Sequence, residues 1–127
     1  MFNTIGIITK PKDFTSEETA RELSVFLHEQ GVSLVEDSEQ ISKNADLIIV
    51  VGGDGSILNT ARTYVDRNIP ILGVNLGRLG FLADVSVENM IAVVGQILNG
   101  DFIKEERALL SCQIERGNQI LSKHLAF

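Results

Sequence analysis

The sequence predicts an α/β protein with a Rossmann-like parallel sheet flanked by helices, and three observations support this fold class. Short β-branched or apolar runs alternate with helical patterns through the first hundred residues. Two of the runs, 47–51 and 69–74, have the nearly continuous apolar pattern of strands that are covered on both faces of a parallel sheet. A glycine-rich turn follows each of these two runs, and ligands of open α/β sheets bind at such strand ends.

The first predicted strand covers residues 4–9, and Pro11 ends it because proline removes a backbone donor. A helix is expected next, with Thr15 as its N-cap and Glu18 completing a capping box. Gly31 stands where a left-handed residue would end that helix.

The remaining elements of the first hundred residues continue this alternation. In chain order we expect a strand at 32–35, a loop or weak helix at 36–44, a strand at 47–51, a helix from Ser56, a strand at 69–74 and a helix from Ser86 to Gly100.

After Gly100 the alternation stops, and the runs 108–115 and 119–127 predict two strands joined as a hairpin. We therefore expect an α/β domain over 1–100 and the first strands of a truncated, β-rich second domain over 101–127. Because the sequence stops in what reads as the interior of a strand, we expect it to be the N-terminal portion of a longer protein.

Composition excludes several classes of protein. The 127 residues include 17 acidic and 11 basic side chains, and 44% are hydrophobic, which is too high a share for a disordered chain of net charge −6. An acidic chain without a basic cluster argues against nucleic-acid binding, and no apolar run approaches the length of a membrane span. A lone cysteine, Cys112, and the absence of a signal-peptide pattern predict a soluble cytoplasmic protein.

The most informative motif is Gly52-Gly53-Asp54-Gly55-Ser56, between a predicted buried strand and a helix. Glycines there let the backbone turn through positive φ and let a ligand approach where a Cβ would clash. The N-terminus of the following helix favours phosphate. Asp54 then either caps the helix or takes part in chemistry beside phosphates, and the motif alone leaves both interpretations open.

A second motif, Asn75-x-Gly77-x-x-Gly80-Phe81-Leu82, follows the next predicted strand. If the two strands are neighbours, both turns lie side by side at one edge of the sheet. Asn75 can then hydrogen-bond to a ligand and Phe81 can stack on a base, although Phe81 and Leu82 could equally be ordinary core. Neither a P-loop nor a Gly-x-Gly-x-x-Gly fingerprint occurs in the sequence, so a different loop would bind phosphate.

Together the two motifs resemble those of the NAD kinases. The Gly-Gly-Asp-Gly turn is shared with 6-phosphofructokinases and with diacylglycerol and sphingosine kinases, whereas the Asn75 to Leu82 element is what selects NAD kinase among them. The resemblance implies transfer of a phosphoryl group from ATP, or from polyphosphate, to the 2′-hydroxyl of the adenosine ribose of NAD. It also implies Mg²⁺ or another divalent cation near the donor, and a homo-oligomeric full-length protein, either a dimer or a tetramer.

The resemblance further implies a role for each residue of the site. Asp54 would be the general base, Gly52, Gly53, Gly55 and Ser56 would line the nucleotide phosphates, Leu58 and Phe81 would contact the adenosine of NAD, and Asn75 would hold the second turn. Asn59 stands in the same site where some members carry a basic residue, and Ser56 stands where threonine is common. Because His, Cys and carboxylates show no ligand spacing, no structural metal is expected.

Other interpretations remain. The chain could belong to another Gly-Gly-Asp-Gly kinase, acting on a lipid or a sugar phosphate, or to a non-catalytic nucleotide-binding module. In the resemblance, an Asn-Glu/Asp pair that binds NAD would fall after Phe127, so this chain alone is expected to be inactive. Lys10, Lys12 and Arg78 are weaker candidates for phosphate contacts; a solvated loop is favoured for the lysines, and a contact with a neighbouring subunit is an equal alternative for Arg78.

Overall fold

The computed structural model describes residues 2–76 and 85–100, together with the backbone of 102–104, 110–116 and 119–122. Its elements are β1 (Thr4–Thr9), α1 (Phe14–Glu29), β2 (Ser33–Val35), α2 (Ser38–Asn44), β3 (Leu47–Gly52), α3 (Asp54–Tyr64), a 3₁₀ helix (Val65–Arg67), β4 (Ile71–Asn75), β5 (Val85–Ser86), a second 3₁₀ helix (Val87–Asn89), α4 (Met90–Leu98), β6 (Phe102–Lys104), β7 (Leu110–Arg116) and β8 (Gln119–Ser122). In these ranges no helix has both the length and the hydropathy that a membrane crossing requires.

The first five strands form one parallel sheet in the order β2-β1-β3-β4-β5. This is a doubly wound order, because the connection after β1 leads outward to β2 while the connection after β3 leads to β4 on the other side. In such sheets the two loops diverge and leave a crevice outside the carboxyl ends of the strands between them, which here are β1 and β3. The prediction of a parallel sheet flanked by helices is confirmed.

Strand β3 is the centre of the core, and every one of its residues is buried. Successive side chains of a strand point to opposite faces, so Leu47, Ile49 and Val51 pack beneath α1 and α4. Ile48 and Val50 pack beneath α2 and α3 on the other face. Coverage on both faces is the physical reason for the continuous apolar run in the sequence.

Helix α1 begins two residues earlier than the capping box predicted. Its N-cap is Asp13, whose carboxylate accepts a hydrogen bond of 2.9 Å from the backbone N–H of Ser16. The prediction of Thr15 as the cap was wrong because aspartate is a better capping residue than threonine and Asp13 lies ahead of Thr15. At the other end Gly31 adopts φ +79°, as predicted.

The last three strands form a separate antiparallel sheet in the order β6-β7-β8. Strands β7 and β8 confirm the two strands expected after Gly100, with shorter bounds in the described residues. Strand β6 was not predicted, since three residues carry too little periodicity to indicate a strand.

Candidate functional site

The turn between β3 and α3 is the centre of the candidate site. Gly52 ends the strand, and Asp54 begins the helix two residues before the predicted start at Ser56. The carbonyl of Gly53 accepts the first helical hydrogen bond, from the N–H of Ile57 at 3.1 Å. The N–H groups of a first helical turn lack partners within the helix and carry partial positive charge. Helix α3 therefore presents an anion-attracting end to the carboxyl edge of the sheet.

Asp54 is the first residue of α3 and is half-buried. Gly53 precedes the helix and its carbonyl accepts the first helical hydrogen bond, so Gly53 and not Asp54 holds the N-cap position. A carboxylate in a first helical turn gains only about 0.3–1 kcal/mol from the helix dipole. Asp54 thus lies at the carboxyl edge of the sheet, at the helix end that attracts anions.

The glycines of the turn differ in what they are needed for. A Cβ on Gly52 would lie 2.8 Å from Ser56 Oγ and 2.9 Å from Ser56 Cβ, so glycine is required there for α3 to pack against β3. A Cβ on Gly53 or Gly55 would meet no described atom within 4 Å. The glycines with positive φ in the described ranges are Gly31 and Gly100, so the expected positive-φ turn was wrong. Among the described residues nothing demands glycine at 53 or 55, and an added Cβ at either position would have no described neighbour.

Asn75 lies beside this turn, at the end of β4. It pairs in register with Gly52, it is only 6% exposed, and the N–H of Leu76 donates to the carbonyl of Gly52 at 3.2 Å. The turns after β3 and β4 therefore leave neighbouring strands at the same edge, as the two motifs predicted. The rest of the second motif, including Gly77, Arg78, Gly80, Phe81 and Leu82, lies outside the described residues.

The other predicted site residues lie on α3. Ser56 is half-buried in the first turn against Gly52, while Leu58 is half-buried and Asn59 is exposed. At about 1.5 Å of rise per residue, Leu58 and Asn59 stand roughly one turn further along the helix than Asp54. The structure thus brings Gly52 to Ser56 together with Asn75, and places Leu58 and Asn59 next to them along α3.

The loop after β1 reaches the same edge on the other side of β3. It carries Lys10 and Lys12, both exposed, and Lys12 adopts φ +61°, which non-glycine residues seldom do. The backbone N–H of Lys10 donates to Ser16 Oγ at 2.9 Å, and that hydroxyl donates to the carbonyl of Val51 at 2.8 Å. Sequence reasoning missed Ser16, because its contact with Val51 joins residues 35 positions apart, which no local pattern encodes.

The fold and this edge define a class: a doubly wound α/β domain with a glycine-rich turn and a helix N-terminus at the carboxyl edge of its sheet, which is where such domains bind their ligands. Residues 35–102, more than half of the chain, match the family model described as the ATP-NAD kinase N-terminal domain. The chain belongs to the NAD kinase family, as its two motifs indicated.

Individual relatives agree with this assignment. The chain is 38% identical to an NAD kinase of Nitrosomonas eutropha and 36% identical to one of Teredinibacter turnerae. These alignments cover 100% and 98% of this chain and 48% of each relative, so the chain spans about half the length of the curated relatives it matches.

Solved structures show the same fold. The crystal structure of an NAD kinase from Archaeoglobus fulgidus in complex with ATP is similar with a TM-score of 0.63 and 27% identity, over 76% of this chain and 37% of that chain. Yeast NADH kinase complexed with NADH is similar with a TM-score of 0.67 over 94% of this chain and 45% of that chain; at 21% identity this likeness supports the fold alone.

Proposed function

We propose that the protein is an NAD kinase, which transfers a phosphoryl group from ATP, or from polyphosphate, to the 2′-hydroxyl of the adenosine ribose of NAD and so forms NADP. Family membership supports this proposal. The observation that carries it is the position of Asp54, in the first turn of α3 between two glycines at which an added Cβ would meet no described atom within 4 Å.

In the proposed reaction Asp54 accepts the proton of the ribose 2′-hydroxyl. The hydroxyl oxygen forms a bond to the terminal phosphorus of the donor while the bond from that phosphorus to the leaving phosphate oxygen breaks, which releases ADP when ATP is the donor. A positioned general base typically contributes about 10²–10⁴-fold to the rate. The proton moves to Asp54 as the new ester bond forms, so charge and atoms balance.

The remaining site residues bind and orient the two substrates. We assign Gly52, Gly53, Gly55 and Ser56 to the donor phosphates, because the end of α3 attracts anions and two of the glycines leave room for them. Leu58 and Phe81 are assigned to contacts with the adenosine of NAD. Asn75 is assigned to holding the second turn, and Asn59 is assigned to nucleotide binding next to Leu58 on α3.

The residues present fit a magnesium ion or another divalent cation. Magnesium sites commonly use one or two carboxylates with substrate phosphates and water rather than a full protein cage. The described residues contain no cluster of three metal-ligating side chains, so the donor phosphates would hold the ion beside Asp54. When bound, the ion would offset the negative charge of those phosphates.

Several whole-protein properties belong to the same proposal. We propose that residues 1–100 form the nucleotide-binding domain and that 101–127 begin a β-rich domain, since the parallel sheet gives way to an antiparallel one there. We further propose a cytoplasmic homo-oligomer, a dimer or a tetramer, that binds NAD and ATP but neither nucleic acid nor membranes. Residues 1–127 alone are proposed to be inactive, because the relatives are about twice as long.

An acceptor panel tests the proposed function. The full-length protein, with ATP and Mg²⁺, is offered NAD⁺, an NAD⁺ analogue lacking the adenosine 2′-hydroxyl, a diacylglycerol and fructose 6-phosphate. We expect phosphoryl transfer to NAD⁺ only. Transfer to the lipid or the sugar phosphate would replace NAD as the acceptor, and ATP binding without transfer to any acceptor would favour a non-catalytic nucleotide-binding module.

A further inference from the structure

Ser16 joins the two loops that border the crevice. Its side chain is fully buried in the first turn of α1. Its hydroxyl accepts a hydrogen bond from the N–H of Lys10, in the loop after β1, and donates one to the carbonyl of Val51, the residue before Gly52. One side chain therefore links the basic loop to the strand end from which the Gly52-Gly53-Asp54 turn departs.

The hydrogen bonds of Ser16 lie at the end of the β1–β3 pairing, where strand pairing no longer connects the two chain segments. The pairing of β1 with β3 ends at Thr9 and Val51, and buried backbone groups beyond the last pair require another partner. A hydroxyl is both donor and acceptor, so Ser16 can satisfy an N–H from one loop and a carbonyl from the other at the same time. Alanine would leave both groups without this partner.

The loop that Ser16 holds is itself restrained. Pro11 fixes its own φ, Lys12 adopts a left-handed conformation, and the N–H of Asp13 donates to the carbonyl of Lys10 at 3.3 Å. The loop thus has a defined shape, and Ser16 determines where that shape sits relative to β3. Its two lysines lie at the same edge as the end of α3.

We propose that Ser16 is a positioning residue for the phosphoryl donor: it holds the Lys10-Pro11-Lys12 loop against β3 so that the lysines and the end of α3 face the same phosphates. This inference rests on the proposed kinase function. The lysine charges attract the donor, the buried hydroxyl sets their position, and NAD binding does not depend on either.

Steady-state kinetics of the full-length enzyme test the inference. We expect Ser16→Ala to raise the KM for ATP on the order of tenfold, with a smaller change in the KM for NAD⁺, because displacement of a binding group weakens its own contacts first. Ser24→Ala is the matched control, because its hydroxyl donates only within α1, to the carbonyl of Ala20 at 2.8 Å. Ser24→Ala is expected to keep both KM values.

A double-mutant cycle separates positioning from general stability. The double variant Lys10→Gln, Lys12→Gln should raise the KM for ATP by itself. Adding Ser16→Ala to it should then have little further effect, because both changes act through the proposed contact of the lysines with the donor phosphates. The lysine variant changes exposed side chains and keeps the test decisive if Ser16→Ala does not fold. Unchanged KM for ATP in the lysine variant, or fully additive effects, would overturn the inference.

The wild-type protein separates this inference from the proposed function. If it forms NADP⁺ and the Ser16 and lysine variants match it, only the role of Ser16 fails. If it forms none, the proposed function fails, and the same variants are compared by equilibrium titration with ATP. Weaker ATP binding by both variants would then support the positioning role, and equal or absent binding would refute it.

Discussion

Gly52 and Gly55 lie in the same turn but are glycine for different reasons. Gly52 leaves room for Ser56, whose Cβ would stand 2.9 Å from an added Cβ, whereas Gly55 has no described neighbour within 4 Å of that position. The residue at 52 is therefore constrained by the fold. At 55 we propose that the constraint is a phosphate bound at the end of α3.

These two constraints predict opposite effects on stability. We expect Gly52→Ala to lower the free energy of unfolding by about 1–3 kcal/mol, because the first turn of α3 must shift. Gly55→Ala should raise it by roughly 0.5–1 kcal/mol, since alanine is the better helix former, while weakening ATP binding. Urea unfolding and ATP titration measure both. A Gly52→Ala protein as stable as wild type, or a Gly55→Ala protein that binds ATP normally, would contradict this division.

Tyr64, the single tyrosine of the sequence, reports on the core at the far end of α3. Burial raises the pKa of its phenol above the ordinary value of 10.0, and Asp37 raises it further. Because the folded-state pKa is the higher one, this group stabilises the fold below the unfolded pKa, and the contribution is lost as pH rises through the folded pKa. Absorbance titration of the phenolate should give a higher pKa in the native protein than in urea. Equal values in the two states would contradict burial of this side chain.

Side-chain hydrogen bonds link β1 and β3 at both ends of this strand pair. Ser16 links them at the carboxyl edge, and Asp46 links them at the opposite edge. The Asp46 carboxylate accepts from the N–H groups of Asn3 at 2.8 Å and Thr4 at 3.2 Å. Its own N–H donates to the carbonyl of Thr4 at 2.9 Å. The Asp46 link is remote from the candidate site, and the Ser16 link lies beside it.

Removal of the Asp46 link should lower the stability of the fold and leave catalysis unchanged. We expect Asp46→Ala to lower the free energy of unfolding by about 1.5–3 kcal/mol, the usual range for hydrogen bonds to a charged group. The KM for ATP should be unchanged. Asp66→Ala is the control, because Asp66 is exposed in the 3₁₀ helix after α3. Thermal unfolding and steady-state kinetics check both variants. A changed KM for ATP in Asp46→Ala would show that the two edges of the sheet are coupled.

Element boundaries show what the sequence could and could not predict. The long, periodic elements were predictable, because β3 is apolar on both faces and α1 ends at a positive-φ glycine. The start of α1 was not, since Asp13 and Thr15 are both good caps and only tertiary packing chooses between them. Strand β5 has two residues, and it exists only because β4 lies beside it.

At the scale of the whole molecule, the doubly wound order is what assembles the site. Strands β3 and β4 are neighbours, so the turn at Gly52 and the residue Asn75 meet at one edge. The sequence predicted this meeting on the condition that the two strands pair. The contribution of Ser16 could not be anticipated in this way. It depends on a contact between the first turn of α1 and the carbonyl of Val51, residues 35 positions apart, and no local pattern encodes it.

We propose that Asp54 performs chemistry at this edge rather than only stabilising α3. The most direct measurement is NADP⁺ formation from NAD⁺, ATP and Mg²⁺ by the full-length protein, compared between wild type, Asp54→Asn and the exposed-site control Asp66→Asn. We predict that Asp54→Asn loses about 10²–10⁴-fold in kcat while ATP binding and unfolding midpoint stay close to those of wild type. An Asp54→Asn enzyme that turns over like wild type would contradict the assignment of Asp54 as the base.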